Sequence, residues 1–293
     1  MGEAICGLRA VITGGSSGIG AATARALAAR GARVAIAGRN AAALGRVAAA
    51  TNGVPVLGDL REPGCPQRIV DAAVEDLGGL DLLVSNAGVG WAGPFASMTE
   101  PDIDALLDTN LRAAAHLARA AIPHLQPGRG RLVFVGSVAG LVGVPTEAWY
   151  SATKAGLSVF ADALREELRP AGIGVSLVSP GVVDTAYFER RNEPYTRRYP
   201  RVMSAETAAA AIVSAVQHRR DDVVVPSWLS LPARMKAGFP HLYRLLAARL
   251  ALPLRRRRIT RVRAQGRGLD GHPGVQREGR HDRVHSPRVV GAP

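Results

Sequence analysis

Tyr150 and Lys154 stand four residues apart in Tyr150-Ser151-Ala152-Thr153-Lys154, the spacing that puts two side chains on one face of a helix. A phenol ionises near pH ~10 in water and is a poor acid–base catalyst at neutrality. A neighbouring ammonium stabilises the phenolate and lowers that value, so the pair can deliver a proton to a carbonyl oxygen or take one from an alcohol. Lysine is scarce in this chain: of 37 basic residues only Lys154 and Lys236 are Lys. A compact ammonium with rotatable donors is not replaced by a planar guanidinium, which gives Lys154 a reason to break the bias towards Arg. Ser137 follows an apolar run at 131–136 and can donate a hydrogen bond to an oxygen on which negative charge grows.

A second group of residues suits phosphate. Thr13-Gly14-Gly15-Ser16-Ser17-Gly18-Ile19-Gly20 lies between an apolar run and an Ala-rich helical stretch. Glycines let the backbone turn tightly and approach a pyrophosphate, while the N-terminus of the following helix stabilises its charge.

Positioning these residues calls for alternating strands and helices. Apolar runs predict strands at 8–13, 32–37, 54–58, 80–85, 131–136, 173–179 and 222–226. Helical patterns fill 18–30, 41–51, 64–77, 102–124, 148–169 and 204–218. This βα alternation implies an α/β fold: a single-domain Rossmann-type, doubly wound parallel sheet of about seven strands with helices on both faces. Its ligand belongs at the carboxyl ends of the strands. Residues 1–226 form the catalytic domain in this reading. Residues 182–203 interrupt the alternation and read as a functional loop, with Tyr187 and Phe188 at an apolar entrance. Residues 227–253 mix apolar side chains with spaced cations, which suits a substrate rim, a subunit contact or an anionic membrane surface. Residues 254–293 carry eleven Arg and three acids without apolar periodicity, so an unfolded tail is expected there.

Composition removes several classes. Two cysteines, Cys6 and Cys65, cannot build a disulfide framework or a four-cysteine zinc site, and no metal site is expected. No apolar run long enough to span a bilayer is free of Arg, and the N-terminus has no export pattern, so a cytoplasmic protein is expected. Much of the net charge of +13 sits in the tail, where no aromatic accompanies it, and specific nucleic-acid binding is not expected. A serine hydrolase is set aside, because Gly136-Ser137-Val138-Ala139-Gly140 is not a nucleophile elbow.

The turn spacing Thr-Gly-x3-Gly-x-Gly resembles the short-chain dehydrogenase/reductase family, and further landmarks follow in order over residues 8–226. They are Asp59 after the third strand, Asn86-Ala87-Gly88 after the fourth, Asn110, Ser137, Tyr150 with Lys154, and Pro180-Gly181 with Thr185. The resemblance implies an NAD(P)-dependent oxidoreductase acting on a small-molecule alcohol or carbonyl, with Asn110, Ser137, Tyr150 and Lys154 catalytic. It places the cofactor on Thr13, Gly14, Ser16, Ser17, Gly18, Ile19, Gly20, Asp59, Leu60, Asn86, Ala87, Gly88, Tyr150, Lys154, Pro180, Gly181, Val183 and Thr185. Arg39, at the end of the second strand, favours NADP(H) over NAD(H), because a guanidinium matches a 2′-phosphate where an acid would accept the ribose hydroxyl. A homodimer or homotetramer is also implied, as is an NADP-binding sensor if the fold carries no catalysis.

Overall fold

The seven strands run parallel: β1 (Arg9–Thr13), β2 (Arg33–Gly38), β3 (Val54–Leu57), β4 (Leu82–Ser85), β5 (Arg131–Val135), β6 (Gly174–Pro180) and β7 (Asp222–Val225), in the order β3-β2-β1-β4-β5-β6-β7. The structure is a computed structural model that describes residues 5–249, apart from 186, 188–190, 192, 194 and 196–198. Phe188 and the tail expected at 254–293 lie outside the described residues.

Both faces of the sheet are covered, which explains why its strands read as near-continuous apolar runs. Successive side chains alternate between two cores. Val11, Leu132 and Phe134 pack on one face with Ile69, Leu117 and Leu157. Those three belong to α3 (Cys65–Leu77), α5 (Ala113–Ala121) and α7 (Ala148–Leu168). Ala10, Ile12 and Val133 pack on the other face with Leu27, Val47 and Ile212. These come from α1 (Gly18–Ala28), α2 (Ala41–Thr51) and α8 (Ala205–Gln217). Parallel strands with helices between them bring every βα loop to one edge of the sheet.

Three departures from the sequence expectation matter for the site. The helix expected at 102–124 carries an irregular turn: α4 (Glu100–Leu107) passes through a π-helical turn at Asp108–Arg112 into α5. A short helix unforeseen in the sequence, α6 (Val138–Val142), starts at Ser137, whose Oγ accepts the Ala139 N–H at 3.1 Å. After β7 the chain forms α9 (Ser230–Gly238) and is helical again over 240–249. Residues up to Arg244 make one unit, and Leu245 opens a second, of which 245–249 are described. Among the described residues no helix is long and apolar enough to cross a membrane.

Candidate active site

A cleft of about 1140 Å³ opens where the carboxyl ends of β1, β2, β4, β5 and β6 meet. Its floor is the glycine turn. Gly14 has φ +64°, and a Cβ there would lie 2.9 Å from Ala87 Cα; at Gly20 a Cβ would lie 2.4 Å from the Gly14 carbonyl oxygen. Side chains at either position would push the turn off β4 and off its own helix. Ser17 caps α1 in an extended conformation without a side-chain hydrogen bond, so the first N–H groups of that helix have no side-chain acceptor there. This is a glycine-lined helix N-terminus suited to an anion.

Gly14, Ser16, Ser17, Gly18, Ile19, Arg39, Asp59, Leu60, Asn86, Ala87, Gly88, Ser137, Tyr150, Lys154, Pro180, Gly181, Val183 and Thr185 all line the cleft. Thr13, Gly20 and Asn110 stand behind its wall. Thr13 is fully buried and its Oγ1 accepts the N–H groups of Asn86 and Ala87 at 3.1 and 3.2 Å, while Asn86 Nδ2 donates to the Thr13 carbonyl at 2.9 Å. These bonds tie the loop after β4 to the glycine turn. Asn110 sits in the π-helical turn, where its Oδ1 accepts Val89 N–H at 2.9 Å and its Nδ2 donates to Val89 O at 2.9 Å and Thr153 Oγ1 at 3.2 Å. Widened turns of this kind recur at functional sites because they redirect one side chain without ending the helix. Gly88 makes the convergence possible: a Cβ there would lie 3.1 Å from Asn110 Oδ1 and 3.6 Å from Lys154 Nζ.

Tyr150 and Lys154 are both buried on α7 and both face the cleft. The Lys154 ammonium donates to the Val135 carbonyl at 2.9 Å, and burial lowers its pKa to about 8. Burial raises the Tyr150 pKa, opposed by hydrogen bonds with Tyr187 and Ser137 and by the charge of Arg191. Desolvation disfavours the charged form of each group, so it works against both the phenolate and the ammonium.

The sequence did not reveal three contacts. Tyr187 lies against Tyr150, with ring centroids 5.9 Å apart, and burial raises its own pKa well above the ordinary value. Gly90 leaves room for it, since a Cβ there would fall 2.1 Å from the Tyr187 Oη. Glu147, just before α7, accepts from the buried Arg191 at 2.8 Å and is itself partly buried. Arg61 grips Asp59, with Nη2 2.6 Å from Oδ2, and holds that carboxyl down at about 2. Arg39 reaches the same Oδ2 at 3.5 Å from a half-exposed position. The first two contacts span distant chain segments; the third was within reach, because an Asp bonding the N–H two residues on is a common turn, seen here from Arg61 N to Asp59 Oδ1 at 3.0 Å.

Residues 9–196 match the family model described as short chain dehydrogenase. The chain is 32% identical over 227 residues to a ketoacyl reductase of Nostoc sp., covering 75% of this chain and 79% of that protein. A short chain dehydrogenase from Burkholderia cenocepacia, solved in complex with NADP, is 34% identical with a TM-score of 0.69, over 76% of this chain and 97% of its own. A short chain dehydrogenase/reductase from Burkholderia phymatum, solved in complex with NAD, is 28% identical with a TM-score of 0.74, over 82% and 96%. The chain belongs to the short-chain dehydrogenase/reductase family and is an oxidoreductase of the class that acts on CH–OH groups.

Proposed function

We propose that the protein reduces a small-molecule carbonyl to its secondary alcohol, reversibly, with NADP(H) as its cofactor. The observation that carries this reading is the convergence of Ser137, Tyr150 and Lys154 on one wall of a cleft whose other end is the glycine turn. The residues fit the cofactor. The helix N-terminus at Ser17–Gly18 would hold the pyrophosphate, Asp59 and Leu60 the adenine side, and Arg39 the 2′-phosphate. The nicotinamide, when bound, supplies or accepts the hydride. Ser137 donates a hydrogen bond to the carbonyl oxygen as it gains charge, and Tyr150 gives that oxygen its proton. Lys154 holds its ammonium on the Val135 carbonyl in the cleft wall, and Asn110 fixes the Gly88–Val89 strip beside it.

NADP(H) is favoured over NAD(H) because Arg39 lines the cleft and, among the described residues, is held by a long ion pair from a half-exposed position, which a phosphate displaces at little cost. Two unpaired cysteines, one exposed and one buried, support a reducing, cytoplasmic setting. The exposed Val159 on α7 supports a homodimer or homotetramer, whereas most alanines of α5 are buried in the chain's own core. Residues 1–226 would carry the whole reaction, since no described residue after Tyr187 lines the cleft.

Tyr150→Phe tests the assignment. The variant is expected to bind NADPH as the wild type does and to lose turnover at least a hundredfold on a carbonyl found by screening for NADPH oxidation. Full turnover by the variant refutes the proton role. A wild type that binds NADPH and turns over no carbonyl or alcohol supports a sensor instead.

A further inference from the structure

Helices on the surface of a water-soluble domain bury their apolar face and expose their polar one. The element after β7 reverses this. Trp228, Leu231, Phe239 and Leu242 are exposed by 53%, 64%, 68% and 51%. Their spacings of three, eight and three residues keep them near one side of a helical path, although Phe239 itself departs from helical geometry. The element turns Pro232, Ala233, Met235 and Tyr243 partly inward, and it is tied down by polar anchors: Lys236 Nζ donates to the Leu141 carbonyl at 3.0 Å and Tyr243 Oη to the Val142 carbonyl at 3.3 Å. Leu229 is the buried exception, packed under Gly181. Both hydrogen bonds fasten the element to the end of α6, so its apolar side is held outward by the fold.

The charge of the surrounding sequence says what meets that side. Between Asp222 and Asp270 the chain contains no Asp or Glu, while Arg234, Lys236 and Arg244 lie within the exposed element and Arg255–Arg258 follow it in the sequence. A second copy docking this face on itself would bring cations against cations with no acid to relieve them. A nucleic acid would meet the cations but leave two leucines and a phenylalanine without an apolar partner. An anionic bilayer surface offers both complements: acyl chains for the apolar side chains and headgroup phosphates for the cations.

We propose that Trp228, Leu231, Phe239 and Leu242, with Arg234 and Arg244, form a membrane-surface site that seats the protein on anionic phospholipid. The site is peripheral, with side chains entering the headgroup boundary and no segment crossing. None of its residues lines the catalytic cleft.

The full chain should sediment with vesicles of an equimolar phosphatidylcholine–phosphatidylglycerol mixture and stay in solution with vesicles of phosphatidylcholine alone. Replacing Leu231, Phe239 and Leu242 together by Ser should weaken vesicle binding at least tenfold while NADPH binding is kept, which shows the variant folded. Brominated acyl chains should quench a tryptophan signal that disappears in Trp228→Phe. Vesicle binding that the triple variant retains in full would assign it to the basic sequence beyond residue 250 and overturn the proposal. So would a wild-type dimer that the triple variant converts to monomer, because the face would then be a subunit contact.

Discussion

Replacing Asn110 by Ala measures how far the site depends on one amide. Asn110 is 1% exposed and makes three hydrogen bonds, two of them to the N–H and carbonyl of Val89 and one to Thr153 Oγ1. The substitution leaves both Val89 groups without these partners in a partly buried strip, at roughly 1 kcal/mol each, and a lost buried bond to Thr153 adds about as much. The sum is about 3 kcal/mol, which for a domain of this size lowers the melting temperature by roughly 6–12 °C. Turnover should fall too, because Gly88 stands between Asn110 and the Lys154 ammonium and its loop loses its anchor. Thermal and urea unfolding give the first number, and steady-state kinetics of the folded variant below its transition gives the second. A variant within ~1 kcal/mol of the wild type would show that the π-helical turn holds its shape without the amide, and the positioning role would fall.

Arg39→Asp should weaken NADPH binding by at least tenfold and leave NADH within a few-fold, read by fluorescence titration; an unchanged ratio removes Arg39 from the phosphate site. Lys154 titrates at about 8 in the folded protein against ~10.4 unfolded, so the unfolded chain binds more protons between those values and stability should rise with pH there, by up to about 3 kcal/mol. Urea unfolding of wild type and Lys154→Met at both ends of that window should show the rise in the wild type alone. Glu147→Gln removes the carboxylate that meets Arg191 and should raise KM several-fold with kcat nearly kept, whereas an equal loss in both would place Glu147 in the chemical step.

The sheet was legible because parallel strands covered on both faces must be apolar at nearly every position, as the five buried residues of β5 illustrate. Helix limits were legible where a side chain marks them, as at Asn40, whose Oδ1 caps α2 from Ala43 N. The π-helical turn at 108–112 was hidden because it inserts a residue without needing Gly or Pro, and Asp-Thr-Asn-Leu-Arg is compatible with an ordinary helix. The five residues of α6 are too few to show a period and depend on the Ser137 cap, so a serine expected to meet substrate also nucleates a helix. Tyr187 was legible as part of a loop near Thr185, but its contact with Tyr150 joins segments 37 positions apart, and no local pattern encodes that.

Burial sets the resting protonation of the site. The same desolvation that raises the Tyr150 phenol lowers the Lys154 ammonium, so the folded chain opposes an ionised tyrosine while it still carries a protonated lysine at neutral pH. A phenol that keeps its proton is ready to donate to a carbonyl oxygen, whereas alcohol oxidation must first remove that proton against the desolvation penalty. The hydroxyls of Ser137 and Tyr187 offset part of this penalty by hydrogen bonding to the Tyr150 oxygen. On the proposed role of Tyr150, reduction would start from this resting state and oxidation would gain as the pH rises towards the phenol's raised pKa, which pH profiles of the two directions would test.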